Sequence, residues 1–197
     1  MVVKNEIEVK QLLWEDDIDY TTSAFKNYYP TVEHLIEQAM LNGSYIRQCY
    51  PSKDTGRMLA DRFDLEWNDS FMPRFREVDE RKYILTLKGE DEIEHPDDSG
   101  YLNLDGGYKE VPEQEAAISR ELFYCFWKNS NVPRLEKWRL SVPYKGIKVD
   151  WDVFTHRDLV MVEFEVRHHF QLGLVEEIGL NKSRDEAYRS RNIAYVL

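Results

Sequence analysis

Like-charged residues recur two apart along this chain: Glu6 with Glu8, Arg74 with Arg76, Glu113 with Glu115, Lys137 with Arg139, Asp150 with Asp152, and Glu163 with Glu165. Lys10 follows the first doublet, and Lys88 ends a further alternating segment. In an extended strand, residues i and i+2 project to the same side, so each doublet concentrates one sign of charge on one face. Carboxylate pairs offer hard oxygen ligands, which suit Mg2+, Mn2+ or Ca2+. Guanidinium and ammonium pairs suit an anion that presents several oxygens. Together they describe a site for a metal-bound polyphosphate. Any one doublet fits the charged, solvated face of an ordinary antiparallel sheet. Like charges on one face repel, however, and surface strands usually mix signs, so the repeated segregation by sign is the informative feature.

Such side chains need strands to hold them, and the residues between them supply the pattern. Ile7, Val9, Phe75, Leu85, Leu87, Trp138, Leu140, Val149, Trp151, Val153, Val162, Phe164 and Val166 alternate with the charges. Each strand therefore has one charged and one apolar face. The alternation predicts strands at 6–10, 45–50, 74–76, 82–88, 135–142, 148–154 and 159–166, in a largely antiparallel sheet. A closed sheet with a polar lumen and an apolar outside covered by helices collects many charged faces around one ligand.

Fewer helices are expected. One follows Pro30-Thr31, with Val32, Leu35, Ile36, Ala39 and Met40 on one face and Asn42-Gly43 at its end. Another starts from Ser119 as N-cap and buries Leu122, Phe123, Phe126 and Trp127. Ser183-Arg184-Asp185-Glu186 has capping-box spacing and opens a short third. Residues 91–107, rich in Asp and Gly, read as a long solvated loop or an irregular hairpin.

Composition narrows the function classes. The 197 residues, 42% hydrophobic and 32% charged, fit one domain over 1–197, with no repeat or linker to mark a boundary. A formal charge of -11 argues against DNA, RNA or an anionic membrane as the main partner. No stretch approaches the roughly 20 apolar residues of a membrane span, and the first residues lack a signal-peptide core, so a cytoplasmic location is expected. Cys49 and Cys125 read as reduced thiols, with structural filler the simplest role for Cys49. The adjacent His168 and His169 would point to opposite faces of a strand, and His34, His95 and His156 lack companions at ligand spacing. Trp14, Trp67, Trp127, Trp138 and Trp151 could stack a base or thiazole, but most of them are expected in apolar packing outside the sheet. No GxxxxGK phosphate loop is present.

The ordered series resembles the CYTH domains of the triphosphate tunnel metalloenzymes. Glu6-Ile7-Glu8-Val9-Lys10 is similar to their ExExK signature, and Ile46-Arg47-Gln48-Cys49-Tyr50 to the IRQGY strand of the bacterial inorganic triphosphatases. Arg74-Phe75-Arg76, Thr86-Leu87-Lys88, Glu113-Gln114-Glu115, Glu136-Lys137-Trp138-Arg139, Asp150-Trp151-Asp152-Val153-Phe154 and Val162-Glu163-Phe164-Glu165 follow in the family's order. Tyr188-Arg189-Ser190-Arg191-Asn192 resembles the segment that plugs the tunnel.

The resemblance implies an α+β fold: a closed eight-stranded antiparallel β-barrel with a charged lumen and helices packed outside. It implies that Arg74, Arg76, Lys88, Lys137, Arg139 and Arg189 hold phosphates. Glu6, Glu8, Asp152, Glu163 and Glu165 would surround Mg2+ or Mn2+, with Asp150, Glu113 and Glu115 nearby. Lys10, with Tyr50, would orient or deprotonate the attacking water, or Lys10 would simply bind phosphate.

The chain departs from the family at Cys49 in place of Gly and at Val111 in place of an Arg. It carries Asp185-Glu186-Ala187 where basic residues are usual, and its connections over 11–44 and 51–72 are long. The function implied is metal-dependent hydrolysis of the terminal phosphate of tripolyphosphate or of a nucleoside or thiamine triphosphate. The alternatives are an adenylyl cyclase forming cyclic AMP from ATP, and a non-catalytic polyphosphate- or nucleotide-binding module. The expected partner is thus a small-molecule triphosphate, with no DNA and no membrane. The oligomeric state stays open, a homodimer included.

Overall fold

Alternating charged and apolar residues fold into one curled antiparallel sheet in the computed structural model, which describes residues 4–13, 31–89, 93–94, 109–156 and 159–166. The strands are β1 (Lys4–Leu13), β2 (Ser44–Cys49), β3 (Phe71–Val78), β4 (Lys82–Gly89), β5 (Ile93–Glu94), β6 (Lys109–Ala117), β7 (Arg134–Tyr144), β8 (Ile147–Phe154) and β9 (Val160–Val166). Their order is β1-β9-β8-β7-β2-β3-β4-β6-β5, and β1 pairs additionally with β6. Each pairing is antiparallel.

Turn chemistry sets the registers. Lys145 and Gly146, with φ of 47° and 86°, join β7 to β8, and two positive-φ residues match the twist of a tight hairpin. Asp79 and Glu80, with φ of 51° and 56°, lie between β3 and β4. The Asp79 carboxylate accepts from the Tyr45 backbone N–H at 2.8 Å, tying this turn to β2. Ile93 and Glu94 pair with Glu110 and Lys109, and the rest of the 91–107 segment lies outside the described residues.

Three helices lie among the described residues: α1 (Val32–Asn42), α2 (Lys53–Arg62) and α3 (Arg120–Trp127). Thr31, Ser52 and Ser119 cap them, each side-chain oxygen accepting a backbone N–H from three residues on. Leu35 and Ala39 of α1 are fully buried, and the helix packs on β7 and β8. Met40, expected on that buried face, is instead 54% exposed, because the helix touches the sheet along a narrow stripe. α2 falls within 51–72, expected as a long connection; it packs on β3 at Gly56, where an added Cβ would lie 2.7 Å from the Pro73 ring.

The main core lies outside the sheet. Cys49, Phe71, Phe75, Leu85 and Leu87 pack against Leu59 and Ala60 of α2 and Phe123 and Trp127 of α3. Leu122 and Phe126 are only partly buried against it. Cys49 is thus core packing, as expected. Trp127 stacks on Phe123, Trp151 is fully buried, and Trp138 meets Tyr45 with ring centroids 4.9 Å apart. No helix among the described residues is long and apolar enough to cross a membrane. The helix expected from Ser183, together with Trp14, His95, His168, His169 and Arg189, lies outside the described residues.

Candidate functional site

With Phe75, Leu85 and Leu87 committed to the outer core, alternation turns Arg74, Arg76, Thr86 and Lys88 to the opposite, inner face. The β4–β6 register sets Thr86 opposite Glu115 and Lys88 opposite Glu113. Arg74 donates to Glu113 at 3.2 Å, Arg76 to Glu115 at 2.6 Å, and the Lys88 ammonium lies 3.5 Å from Glu113. Thr86 Oγ1 also donates to Glu115, at 3.2 Å. On this wall, cations outnumber carboxylates among the described side chains. Burial pulls the Arg76 pKa below its ordinary value, and the charge of Arg74 adds to that; the Nε of Arg76 is buried without a hydrogen-bond partner among the described residues.

The wall formed by β7, β8 and β9 has the opposite balance. Arg139 forks onto Asp152, with Nε and Nη2 each at 2.6 Å from an oxygen, and reaches Asp150 at 2.8 Å and Glu163 through its other hydrogens. Burial alone would lower its pKa, yet Asp152, Glu163 and Asp150 hold it well above the ordinary value. Lys137 is ion-paired with Asp152 and 1% exposed. Burial, then the charge of Arg139, pull the Lys137 pKa down to about 8, with Asp152 and Glu163 opposing. Lys148 bridges Asp150 and Glu165, at 2.8 Å from each. Asp150 also accepts from Ser141 at 2.6 Å. Gln48 of β2 pairs with Arg76 of β3 and with Leu135 of β7, so the two walls lie on one face of the sheet.

An apolar layer adjoins this second wall. Tyr50, Leu135, Phe154, Leu159 and Met161 form a separate buried cluster. The Tyr50 hydroxyl donates to Gln48 Oε1 at 3.1 Å. The β1 register places Lys10 opposite Glu163 and Glu8 opposite Glu165, while Glu6 pairs with Val111 of β6.

The expected residues therefore gather as two groups. Arg74, Arg76, Lys88, Glu113 and Glu115 meet on one wall, and Lys137, Arg139, Asp150, Asp152, Glu163 and Glu165 on the other. Lys148 (44% exposed), Ser141 and Gln48 lie on the same face of the sheet and do not stand out in the sequence. Their signal was the same alternation, since Lys148 precedes Asp150 by two and Ser141 follows Arg139 by two.

The donors on offer to a metal are carboxylate oxygens, the chemistry a hard divalent ion prefers. Among the described residues no three His, Cys, Asp or Glu side chains form a ready metal cluster. The carboxylates are instead occupied by Arg139, Lys137 and Lys148, which an incoming anion can draw away. Mg2+ or Mn2+ therefore fits the donor chemistry, once these cations exchange partners.

No protein-family model matches the chain, and no curated protein does. Solved structures similar to it include the inorganic triphosphatase NE1496, at 21% identity over 100% of this chain and 97% of that one, TM-score 0.48. A candidate adenylate cyclase from Bacillus halodurans is 16% identical over 96% and 99% of the two chains, TM-score 0.48. A conserved hypothetical protein from Pyrococcus furiosus is 14% identical over 89% and 91%, TM-score 0.48. In the order of its charged motifs the chain resembles the CYTH domains of the triphosphate tunnel metalloenzymes, and an inorganic triphosphatase and a candidate adenylate cyclase are among the solved structures similar to it.

Proposed function

We propose that this chain, as one domain, hydrolyses the terminal phosphate of tripolyphosphate or a related small triphosphate, with a divalent metal ion, inside a closed eight-stranded tunnel. Tunnel closure is supported by the continuous pairing of β1, β9, β8, β7, β2, β3, β4 and β6, with β1 returning to β6. The observation that carries the reading is the pair of inner walls, on which buried guanidinium and ammonium groups are matched by carboxylates rather than by apolar packing. Charges this deeply placed are costly to bury and, without a ligand to serve, a hydrophobic interior of similar volume would be at least as stable.

Arg74, Arg76 and Lys88 hold one stretch of the phosphate chain by exchanging Glu113 and Glu115 for phosphate oxygens. Lys137 and Arg139 hold the other, and in doing so release Asp150, Asp152 and Glu163. These carboxylates, with Glu165, Glu6 and Glu8, would hold the metal. When bound, a divalent ion neutralises phosphate oxygens and makes water a better nucleophile. Lys10, with Tyr50, positions or deprotonates the attacking water, the alternative duty of Lys10 being a phosphate contact. Positioning of this kind, together with electrostatic stabilisation, provides most of the catalysis in phosphoryl transfer.

Purified protein is to be assayed for phosphate release from tripolyphosphate, ATP and thiamine triphosphate with Mg2+, Mn2+ or Ca2+, with cyclic AMP followed in the ATP reactions. Expected is metal-dependent cleavage of tripolyphosphate, abolished by chelator and by Glu8→Gln and reduced by Lys10→Ala. Cyclic AMP without phosphate release would move the assignment to a cyclase. Absence of both turnover and triphosphate binding under every ion would overturn it.

A further inference from the structure

The apolar cluster beside the second wall is not part of the outer core, and the registers show where it lies. Leu135 pairs with Gln48, which pairs in turn with Arg76. Phe154 pairs with Lys137, and Met161 with Asp152. Residues directly opposite in an antiparallel pair share a face, so Leu135, Phe154 and Met161 project to the same interior as Arg76, Lys137 and Asp152. Leu159 stands two before Met161, and Tyr50 two after Gln48, and both join them. The exposure of these five side chains runs from 0% to 8%, and Leu135 is wholly buried. Lys137 lies directly on the layer, its ammonium 5.6 Å from the centre of the Phe154 ring. At Lys137 the charged part of the interior thus meets a buried apolar floor.

Resting on the triphosphate reading above, we propose that this floor makes the tunnel blind at the Lys137 end, so that a phosphate chain enters only end-first, with its terminal phosphate nearest Lys137. A polyanion cannot thread between Leu135, Phe154 and Met161 without surrendering its water and counter-ions to an apolar layer. A terminal phosphate also carries more charge than an internal one, and the cations that meet it are Lys137 and Arg139. The substrate class is therefore linear oligophosphates with a free end, and any organic group must stay at the other mouth. Leu135, Phe154 and Met161 set this selectivity without touching the reacting atoms, through the depth at which the chain stops.

The test counts proteins per chain. Wild-type protein is mixed with inorganic polyphosphates of increasing length, with Ca2+ and separately with EDTA, and the stoichiometry of the complexes is read by sedimentation. Tripolyphosphate serves as the reference ligand. A blind tunnel takes chain ends alone, so bound protein per chain reaches one at each end and stays unchanged when the chain length doubles. An open tunnel takes internal phosphates too, and bound protein per chain would then double with length, which overturns the floor and leaves the triphosphate reading standing. Absence of tripolyphosphate binding in both buffers would overturn the reading itself, and the floor with it.

Discussion

Arg139, 13% exposed, donates to carboxylates from two strands, Asp150 and Asp152 of β8 and Glu163 of β9. Removing one partner from a buried ionic group leaves the others uncompensated, which costs about 3–5 kcal/mol. Arg139→Met is therefore expected to lower stability by about that amount in urea denaturation, whereas Arg57→Ala, which breaks the exposed pair with Asp69, should change it by about 1 kcal/mol at most. Equal losses would show that the interior network is no stronger than a surface contact. Lys137 gives a pH signature. Its pKa is about 8 in the fold against 10.5 ordinarily, so between these values the unfolded chain binds more protons and stability rises with pH. In chelator, the melting temperature of the wild type relative to Lys137→Met should accordingly climb from about pH 8 towards 10.5, and a flat difference would place the lysine in water. Cys49 is pushed up to about 12 by burial, with Arg134 opposing, while Cys125 is exposed. A thiol reagent at neutral pH should label Cys125 in the native protein and Cys49 only after unfolding, since the thiolate is the reactive form. The doublets were legible in the sequence because strand alternation is local. The carboxylate that each cation meets was not, because Arg139 and Glu163 are joined by register between strands and not by spacing along one.

At the scale of elements, the strands with large alternating side chains were readable and one helix was not. α2 shows a buried stripe of only Gly56, Leu59 and Ala60 among Lys, Asp and Arg, too thin for an apolar period to stand out. Its remaining signal was the Ser52 cap, and a lone serine before a charged run is common. β3 was foreseen only at 74–76, since Pro73 interrupts the pattern; the structure extends it over Phe71–Val78. α1 ends at Gly43 for a steric reason. Its φ is an ordinary -86°, but a Cβ there would stand 2.4 Å from the Ala39 carbonyl oxygen and 2.7 Å from that of Arg139. Both contacts are to backbone, which cannot swing aside, so Gly43→Ala is expected to destabilise by about 1–3 kcal/mol, as overpacking does. Calorimetry showing no loss would mean that α1 lifts from β7 without penalty. Gly146 differs, for its need is the positive φ of the β7–β8 turn.

For the molecule as a whole, a ligand that binds only the folded form stabilises it by mass action, about 2.7 kcal/mol at 100 times its dissociation constant. Tripolyphosphate is accordingly expected to raise the melting temperature, less so at high salt, and the rise should vanish when Arg74 and Arg76 are both reversed to Glu. A rise that survives the reversal would put the ligand elsewhere. The order of the strands carries a consequence for how the chain is made. β1 pairs with β6 on one side and with β9 on the other, so it keeps an open edge until residues 160–166 have been synthesised. β8 waits for the same partner. Nascent chains halted before residue 160 should therefore expose two adhesive strand edges at once and engage chaperones, and release of the last strand would be the step that ends the vulnerability.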